Sequence, residues 1–381
     1  MDLDFSDEQR AWHDAAVEFA RRHLAGDAIA ADRDETFDHA GWKRAAEFGV
    51  LAMPVKKELG GLGLAIGEVI AVMEGLGYGA NDQGLLFSLN AHLWTNTMPL
   101  VQWGTPEQQR RWLPGLMDGS LIGANGASEP DSGSDVFAMR TRATRQGDVY
   151  VLNGTKMFVT NAPVADLLVT YATIDPALGS MGVTGFLVDG HAKGVTVSRK
   201  LAKMGLRTSP MAEVVFEDVR VPVADRLGRE GRGVAVFESS MEWERGCILA
   251  SCLGAMRRQL ERCIAHARQR KQFGQAIGKF QSVANKLVDM RLRLDTCRPL
   301  VYRIARLKEA GKDATVEAAL AKLHVSESCV KNALDAVQLF GGYGYMTEYE
   351  LERALRDAVG GTLYSGTSEI QRNLIARGLG L

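Results

Sequence analysis

Several absences narrow this chain before any motif is read. Its five cysteines, Cys247, Cys252, Cys263, Cys297 and Cys329, form no C-x-x-C pair, and their number is odd. A disulfide framework and a zinc site are both disfavoured, which leaves ordinary thiols. The seven histidines show no H-x-x-x-H spacing, so a metal enzyme has little support. No apolar run approaches the roughly 18–20 residues needed to cross a bilayer. Charge of one sign is missing too. Lys and Arg number 45 against 46 Asp and Glu, a net charge of −1, so nothing points to nucleic acid or a membrane surface. The start, Met1 to Glu8, is acidic rather than basic-then-apolar. That predicts neither signal nor transit peptide, and a cytoplasmic location. Gly60-Gly61-Leu62-Gly63 lacks both G-x-G-x-x-G spacing and a G-K-[ST] ending, so it reads as a turn and not a phosphate loop.

What is present divides the 381 residues into three stretches, a length that suits two or three domains. Residues 1–120 read as helical. Ser6 followed by Glu8-Gln9 is a helix start, and Trp12, Ala15-Ala16, Phe19 and Ala20 recur at helical spacing. Further helices are expected over 42–49, 66–77 and 107–116. Residues 121–232 change period. Val149–Leu152, Asn153-Gly154 and Thr155–Val159 read as a hairpin, because Asn-Gly favours positive φ at both turn positions. β-branched runs at 167–172, 183–188, 195–197 and 213–221 are separated by Gly, Pro and Asp, which predicts a small β-barrel or sandwich. Residues 233–381 return to long helical patterns. Apolar stripes are expected through Leu287, Met290 and Leu294, and through Ala319, Leu323, Val330, Leu334 and Val337. The fold class is therefore α+β: an N-terminal all-α domain, a middle β domain and a C-terminal helical bundle.

Three segments carry a resemblance: Ala127-Ser128-Glu129-Pro130-Asp131-Ser132-Gly133-Ser134-Asp135; Arg268 to Gly274 with Phe280-Gln281; and Gln338 to Tyr345 with Arg356-Asp357 and Tyr364 to Arg372. In this order they resemble the acyl-CoA dehydrogenase superfamily of flavoproteins across essentially the whole chain. The resemblance implies FAD as cofactor. It places Ser128 at the flavin edge, where donors stabilise charge on the reduced ring, Phe158 over the flavin, and Thr160 near N5. Relatives more often carry Trp at the Phe158 position. Ser134 matches a position beside the incoming pantetheine arm. Arg270, Phe273 and Gln281 match positions reaching the adenosine-pyrophosphate half of FAD in a neighbouring subunit, where an Arg fork suits a pyrophosphate. Gln338 and Gly342 match backbone-approach positions on the same cofactor, the glycine allowing the main chain to come close. Thr367 and Glu369 flank the flavin. Two subunits building each FAD site imply a homo-oligomer, with a tetramer expected. A solvated helix face is the plainer reading of the basic cluster at 268–271, and a Gly/Ser turn that of 127–135.

One departure decides the chemistry. Many relatives carry the Glu that removes the substrate α-proton between the positions of Tyr364 and Gly366, whereas this chain has Ser365. An unassisted hydroxyl is no base near neutral pH. A few branches place that Glu on the helix after the β module, directly before an Arg, and Glu244-Arg245 is the match. Helical geometry supports this independently. At about 100° per residue, Glu244 shares a face with Phe237, Met241, Cys247, Ile248, Ser251 and Ala255, while Glu238, Glu242 and Arg245 point elsewhere. A carboxyl among small and apolar neighbours has its pKa raised toward the working pH. The plainer reading is a core Glu paired with an Arg. Arg245, Tyr364 and Ser365 are expected at the substrate, the Ser365 amide polarising a thioester carbonyl.

The expected reaction removes the α-proton of a thioester and passes the β-hydrogen to the flavin. The segments 239–247, 161–166 and 169–173 resemble the branch that oxidises L-proline held on a peptidyl carrier protein to pyrrole-2-carboxyl, as in antibiotic biosynthesis. A short- or branched-chain acyl-CoA dehydrogenase acting on a CoA thioester, and a flavin-binding protein without a base, are the alternatives. The sequence names no electron acceptor.

Overall fold

The computed structural model describes residues 5–381, so the acidic start Met1–Asp4 lies outside them. Helical periodicity after Ser6 takes the form of α1 (Asp7–His23). The Ser6 hydroxyl accepts from the Gln9 N–H and the Gln9 side chain accepts from the Ser6 N–H, so two donors orphaned at the helix start are satisfied reciprocally. Then follow α2 (Ala28–Asp34), α3 (His39–Glu47), α4 (Ile66–Gly79), α5 (Gln83–His92), α6 (Met98–Trp103) and α7 (Pro106–Asp118). A seam of buried polar groups ties this layer to the next. His92 Nδ1 accepts from the Gly123 N–H at 2.9 Å, and Nε2 faces the Leu116 carbonyl at 3.0 Å. Both bonds suit a neutral imidazole, and burial lowers its pKa to about 4.

The β module consists of β1 (Gly123–Gly126), β2 (Arg142–Gln146), β3 (Val149–Thr160), β4 (Leu167–Thr173), β5 (Val183–Asp189), β6 (Val195–Val197), β7 (Met211–Pro222) and β8 (Arg226–Leu227). They form one sheet in the order β6-β7-β3-β2-β4-β5-β8, with β1 pairing parallel to β4. Side chains alternate as the strand period requires. Along β4, Leu167, Val169 and Tyr171 pack toward the helices with Leu113, Leu116 and Val236. Leu168 and Ala172 face an interior shared with Tyr150, Phe186, Val214 and Phe216. Strands β5 and β7 meet across that interior although three strands separate them in the sheet, so the sheet doubles over on itself as a sandwich.

The hairpin expected at Asn153-Gly154 is not there. The chain reverses six residues earlier, where Gln146 pairs with Val149 around Gly147 (φ +62°) and Asp148. Asn153-Gly154 lies inside β3 and forms an irregularity against β7. Asn153 exchanges hydrogen bonds with Asp218, donating to its carboxylate at 3.0 Å and accepting from its N–H at 2.8 Å. A Cβ on Gly154 would lie 2.4 Å from Thr141 Oγ1. The same two residue types that make a tight turn here make a bulge.

The last third holds α8 (Gly233–Cys247), α9 (Ala250–Gln269), a short hairpin of β9 (Lys271–Gln272) and β10 (Gln275–Ala276), α10 (Gln281–Glu309), α11 (Thr315–Phe340), α12 (Leu351–Gly360) and α13 (Ser368–Gly378). Its crossing with the first layer is close: a Cβ on Gly77 of α4 would stand 1.8 Å from the Ser251 carbonyl oxygen of α9. Residues of both helical layers accordingly share one core. The face expected to run unbroken from Phe237 to Ala255 is interrupted. Leu249 (φ −87°, ψ 3°) leaves helical geometry between α8, which lies on the sheet, and α9, which lies on α4. The α11 stripe is also displaced from the expected one. Ala319 is buried as expected, but Leu334 is exposed, Leu323, Val330 and Val337 are half-buried, and the buried face runs through Ala318, Ala321, Lys322, Val325, Cys329, Asn332 and Ala336. Small and polar residues, not the large apolar ones, face inward because neighbouring helices approach α11 on that side.

Candidate active site

Among the three glutamates near the end of α8, the structure separates their fates. Glu238 is exposed. Glu242 meets Lys308 Nζ at 2.8 Å and accepts from the Ala314 N–H at 3.1 Å. Glu244 is only 8% exposed, and among the described residues no cation pairs with it directly. Burial lifts its pKa from 4.5 to about 7, against smaller opposing pulls from the Ser365 hydroxyl and the Arg245 and Lys322 cations. The Ser365 hydroxyl is near enough to favour the carboxylate without a well-formed hydrogen bond, since Ser365 Oγ is buried and unpartnered.

The turn opposite Glu244 is held by its carbonyls. Ser365 (φ +57°) and Gly366 (φ +90°) are both left-handed, a conformation that carries strain at the serine. The Ser365 carbonyl accepts from Arg245 Nε at 3.0 Å and from Gln371 Nε2 at 3.0 Å. The Gly366 carbonyl accepts from Lys322 Nζ at 2.6 Å and from Gln371 Nε2 at 2.9 Å. The N–H groups of Ser365 and Gly366 have no acceptor among the described residues. Donors free in such a turn are suited to a carbonyl oxygen that gains negative charge. The structure thus brings Glu244, Arg245, Tyr364 and Ser365 together. Thr367 caps α13 by accepting from the Ile370 N–H at 3.4 Å, and Glu369 follows in its first turn.

Aromatic side chains define the surroundings. Tyr364 packs on Phe87 with ring centroids 4.6 Å apart. Behind that pair lies a largely apolar cavity of about 100 Å³, lined by Ile248, Cys252, Ala255 and Cys329 among others, but not by Glu244. On another side, burial and the Glu244 charge keep the Tyr171 phenol protonated. Phe237 sits edge-on to both Tyr171 (5.5 Å) and Phe137 (5.6 Å). This row leads from Glu244 toward the loop carrying exposed Ser134.

Ser128, Phe158 and Thr160 form a neighbouring group. The Met157 N–H donates to the Ser128 carbonyl at 2.8 Å, which sets the 127–135 segment against β3. Glu129 anchors that segment: its carboxylate takes Lys156 Nζ at 2.8 Å and the N–H groups of Arg140 (2.6 Å) and Thr141 (3.0 Å). Phe158 stands at φ +58° and is 60% exposed.

Arg270, Phe273, Gln281, Gln338 and Gly342 gather elsewhere. The Arg270 guanidinium lies 5.8 Å from the Tyr343 ring centroid. Phe273, between β9 and β10 at φ +50°, is 93% exposed and meets Phe280 edge-on at 6.0 Å. Gln281 opens α10, and exposed Gln338 stands in the last turn of α11. Among the described residues no hydrogen bond or ring contact links this group to Ser128, Phe158 or Glu244. At Gly342 a Cβ would meet nothing within 4 Å among the described residues. The backbone demand belongs to its neighbour Gly341 (φ +59°, ψ −133°).

Sequence reasoning missed Lys322, Gln371 and Glu129. Lys322 was findable as the one cation at helical spacing from Ala318, Val325 and Cys329, a row otherwise made of small and apolar residues.

Two helical layers enclosing a β module, with a desolvated carboxyl and a donor-bearing turn at their junction, define a three-domain dehydrogenase class. The acyl-CoA dehydrogenase N-terminal domain family matches residues 6–120, the middle domain family 124–219 and the C-terminal domain family 231–380. The chain belongs to the acyl-CoA dehydrogenase family. It is 41% identical to L-prolyl-[peptidyl-carrier protein] dehydrogenase of Pseudomonas fluorescens, with all of both chains covered. It superposes on the crystal structure of the prolyl acyl carrier protein oxidase AnaB with a TM-score of 0.98 at 46% identity, covering 99% of this chain and 100% of that one. PigA with FAD and proline gives 0.98 at 40% identity, with both chains fully covered.

Proposed function

We propose that this protein is an FAD-dependent dehydrogenase of a thioester-bound acyl group, most specifically of L-prolyl on a peptidyl carrier protein, with Glu244 as the base. The observation that carries the reading is the state of Glu244: buried, unpaired and titrating near 7, beside a turn with two unused N–H donors. Full-length relatives named as prolyl-carrier-protein dehydrogenases and oxidases support the substrate.

The residues fit the cofactor. The open Phe158 ring and the half-buried hydroxyls of Ser128 and Thr160, which have no partner among the described residues, suit a planar ring edged with hydrogen-bonding atoms. When bound there, FAD would supply a two-electron acceptor for the β-hydrogen. The chain does the rest. The Ser365 and Gly366 N–H groups polarise the thioester carbonyl and so acidify the α-carbon. Glu244 then takes the α-proton from a fixed position, in a site whose walls exclude water. Ser134, before the Phe137–Phe237–Tyr171 row, marks the approach of the thioester arm. Two successive two-electron oxidations of one ring, the second drawing on other ring positions after an electron acceptor has reoxidised the flavin, remove four hydrogens and give pyrrole-2-carboxyl.

The exposed Phe273 and Arg270, isolated from Ser128 and Phe158 within one chain, support a homo-oligomer in which each FAD is shared between two subunits, in a tetramer. The cavity behind Tyr364 favours a second reading, a short- or branched-chain acyl-CoA dehydrogenase. The test mixes FAD-loaded protein with prolyl-carrier protein and, separately, with butyryl- and isovaleryl-CoA, following flavin bleaching. The carrier-bound product is then weighed by mass spectrometry. Bleaching by the prolyl carrier with loss of four hydrogens is expected. Bleaching by CoA esters alone assigns the second reading.

A further inference from the structure

The charge on Lys322 has no assigned role, and its position is unusual. The side chain is fully buried, on the inward face of α11, and among the described residues it makes no ion pair. A buried ammonium without a counter-charge is costly and needs local compensation. Its one hydrogen bond, 2.6 Å to the Gly366 carbonyl, fixes it under the turn facing Glu244. The Tyr364 ring lies 5.9 Å away.

We infer that Lys322 is a positioning residue: it pins the Ser365–Gly366 turn so that its N–H groups stay aimed at the substrate carbonyl, and together with Arg245 it supplies buried positive charge that favours the ionised form of Glu244. This rests on the reading of Glu244 as the base. The surroundings fit the role. Glu244 is faced by Arg245 on its own helix, Lys322 on α11, Ser365 and Tyr364 on the turn, and Tyr171 on β4. Lys322 is faced by Glu244 and Arg245 on α8, Glu369 on α13 and Glu327 on its own helix. Burial lowers the Lys322 pKa to about 8, and Glu244 is the largest influence holding it up, so each charge sustains the other. When Glu244 takes a proton its charge disappears, and the remaining cation favours negative charge growing on the carbonyl above the turn. Arg245 adds its own, larger pull on Glu244 and holds the Ser365 carbonyl through Nε, while the Gly366 carbonyl next to it is held by Lys322.

The test uses the FAD-loaded protein with Lys322→Met, which removes charge and hydrogen bond, and Lys322→Gln, which removes only the charge. Glu244 is titrated without substrate by infrared difference spectroscopy, its carboxyl band identified by its loss in Glu244→Gln. Both variants are expected to titrate Glu244 about one pH unit or more higher than wild type. The acid limb of flavin reduction by the prolyl thioester moves with it. Above that limb Lys322→Gln recovers wild-type reduction within about threefold, while Lys322→Met stays about tenfold lower, the equivalent of one hydrogen bond. If Lys322→Met loses FAD, the titration of Lys322→Gln decides alone. An unmoved Glu244 titration overturns the inference, whatever the rates. Absence of flavin reduction in wild type overturns the dehydrogenase reading instead, and leaves the infrared result standing.

Discussion

Replacing Glu244 by Gln keeps the shape of the side chain and removes its ability to take a proton, so activity and stability should move in opposite directions. Loss of a general base lowers the rate by about 10²–10⁴, and flavin reduction followed by rapid mixing should fall by about a thousandfold with FAD retained. The stability effect follows from the raised pKa. A carboxyl whose pKa rises from 4.5 unfolded to about 7 folded stabilises the fold while protonated. That contribution is complete below pH 4.5 and lost as pH rises through 7. Above this window wild type carries a penalty of about 3 kcal/mol that Gln lacks. Denaturant unfolding at pH 8 should therefore show the variant more stable by about that amount, and at pH 5 by less than about 1 kcal/mol. A variant within tenfold of the wild-type rate, or one equally stabilised at both pH values, refutes the reasoning.

Three further outcomes are expected. Wild-type flavin reduction should rise about tenfold between pH 6 and pH 8, as Glu244 passes from mostly protonated to mostly ionised, measured with the same rapid-mixing assay. Lys156→Met leaves the Glu129 carboxylate buried without its cation; unfolding free energy should drop by about 3–5 kcal/mol, with weaker FAD retention because the 127–135 segment loses its anchor. Gly77→Ala forces a methyl group into the Ser251 carbonyl; thermal unfolding should show a loss of about 3 kcal/mol.

The sequence carries the architecture well wherever a strong period meets a local stop signal. Ser6 with Gln9 marks the start of α1, and the β-branched runs at 167–172 and 183–188 become β4 and β5. It misleads where one local pattern has two solutions. Asn153-Gly154 suits a turn or a bulge equally, and pairing with Asp218 on a strand far along the chain selects the bulge. The bend at Leu249 is equally invisible, because it answers to which layer each half of the helix lies on. For the site, the resemblance pointed to Glu244 and its helical face agreed; the burial that face implied is what the structure bears out. Lys322 escaped because buried lysines are rare and a stripe of Leu and Val draws the eye first. Glu129 escaped because its partner, Lys156, stands on a strand whose pairing was assigned to a turn.

Because the Glu244 cluster and the Phe273 hairpin do not meet within one chain, damage to the two is separable by mixing. Under the shared-cofactor reading, a protein inactive through Glu244→Gln still lends an intact hairpin, and one inactive through Arg270→Ala still lends an intact base. Co-purified from one cell, the two dead parents should yield hybrids in which some pockets inherit a sound part from each, and activity reappears in a statistical fraction that neither parent has alone.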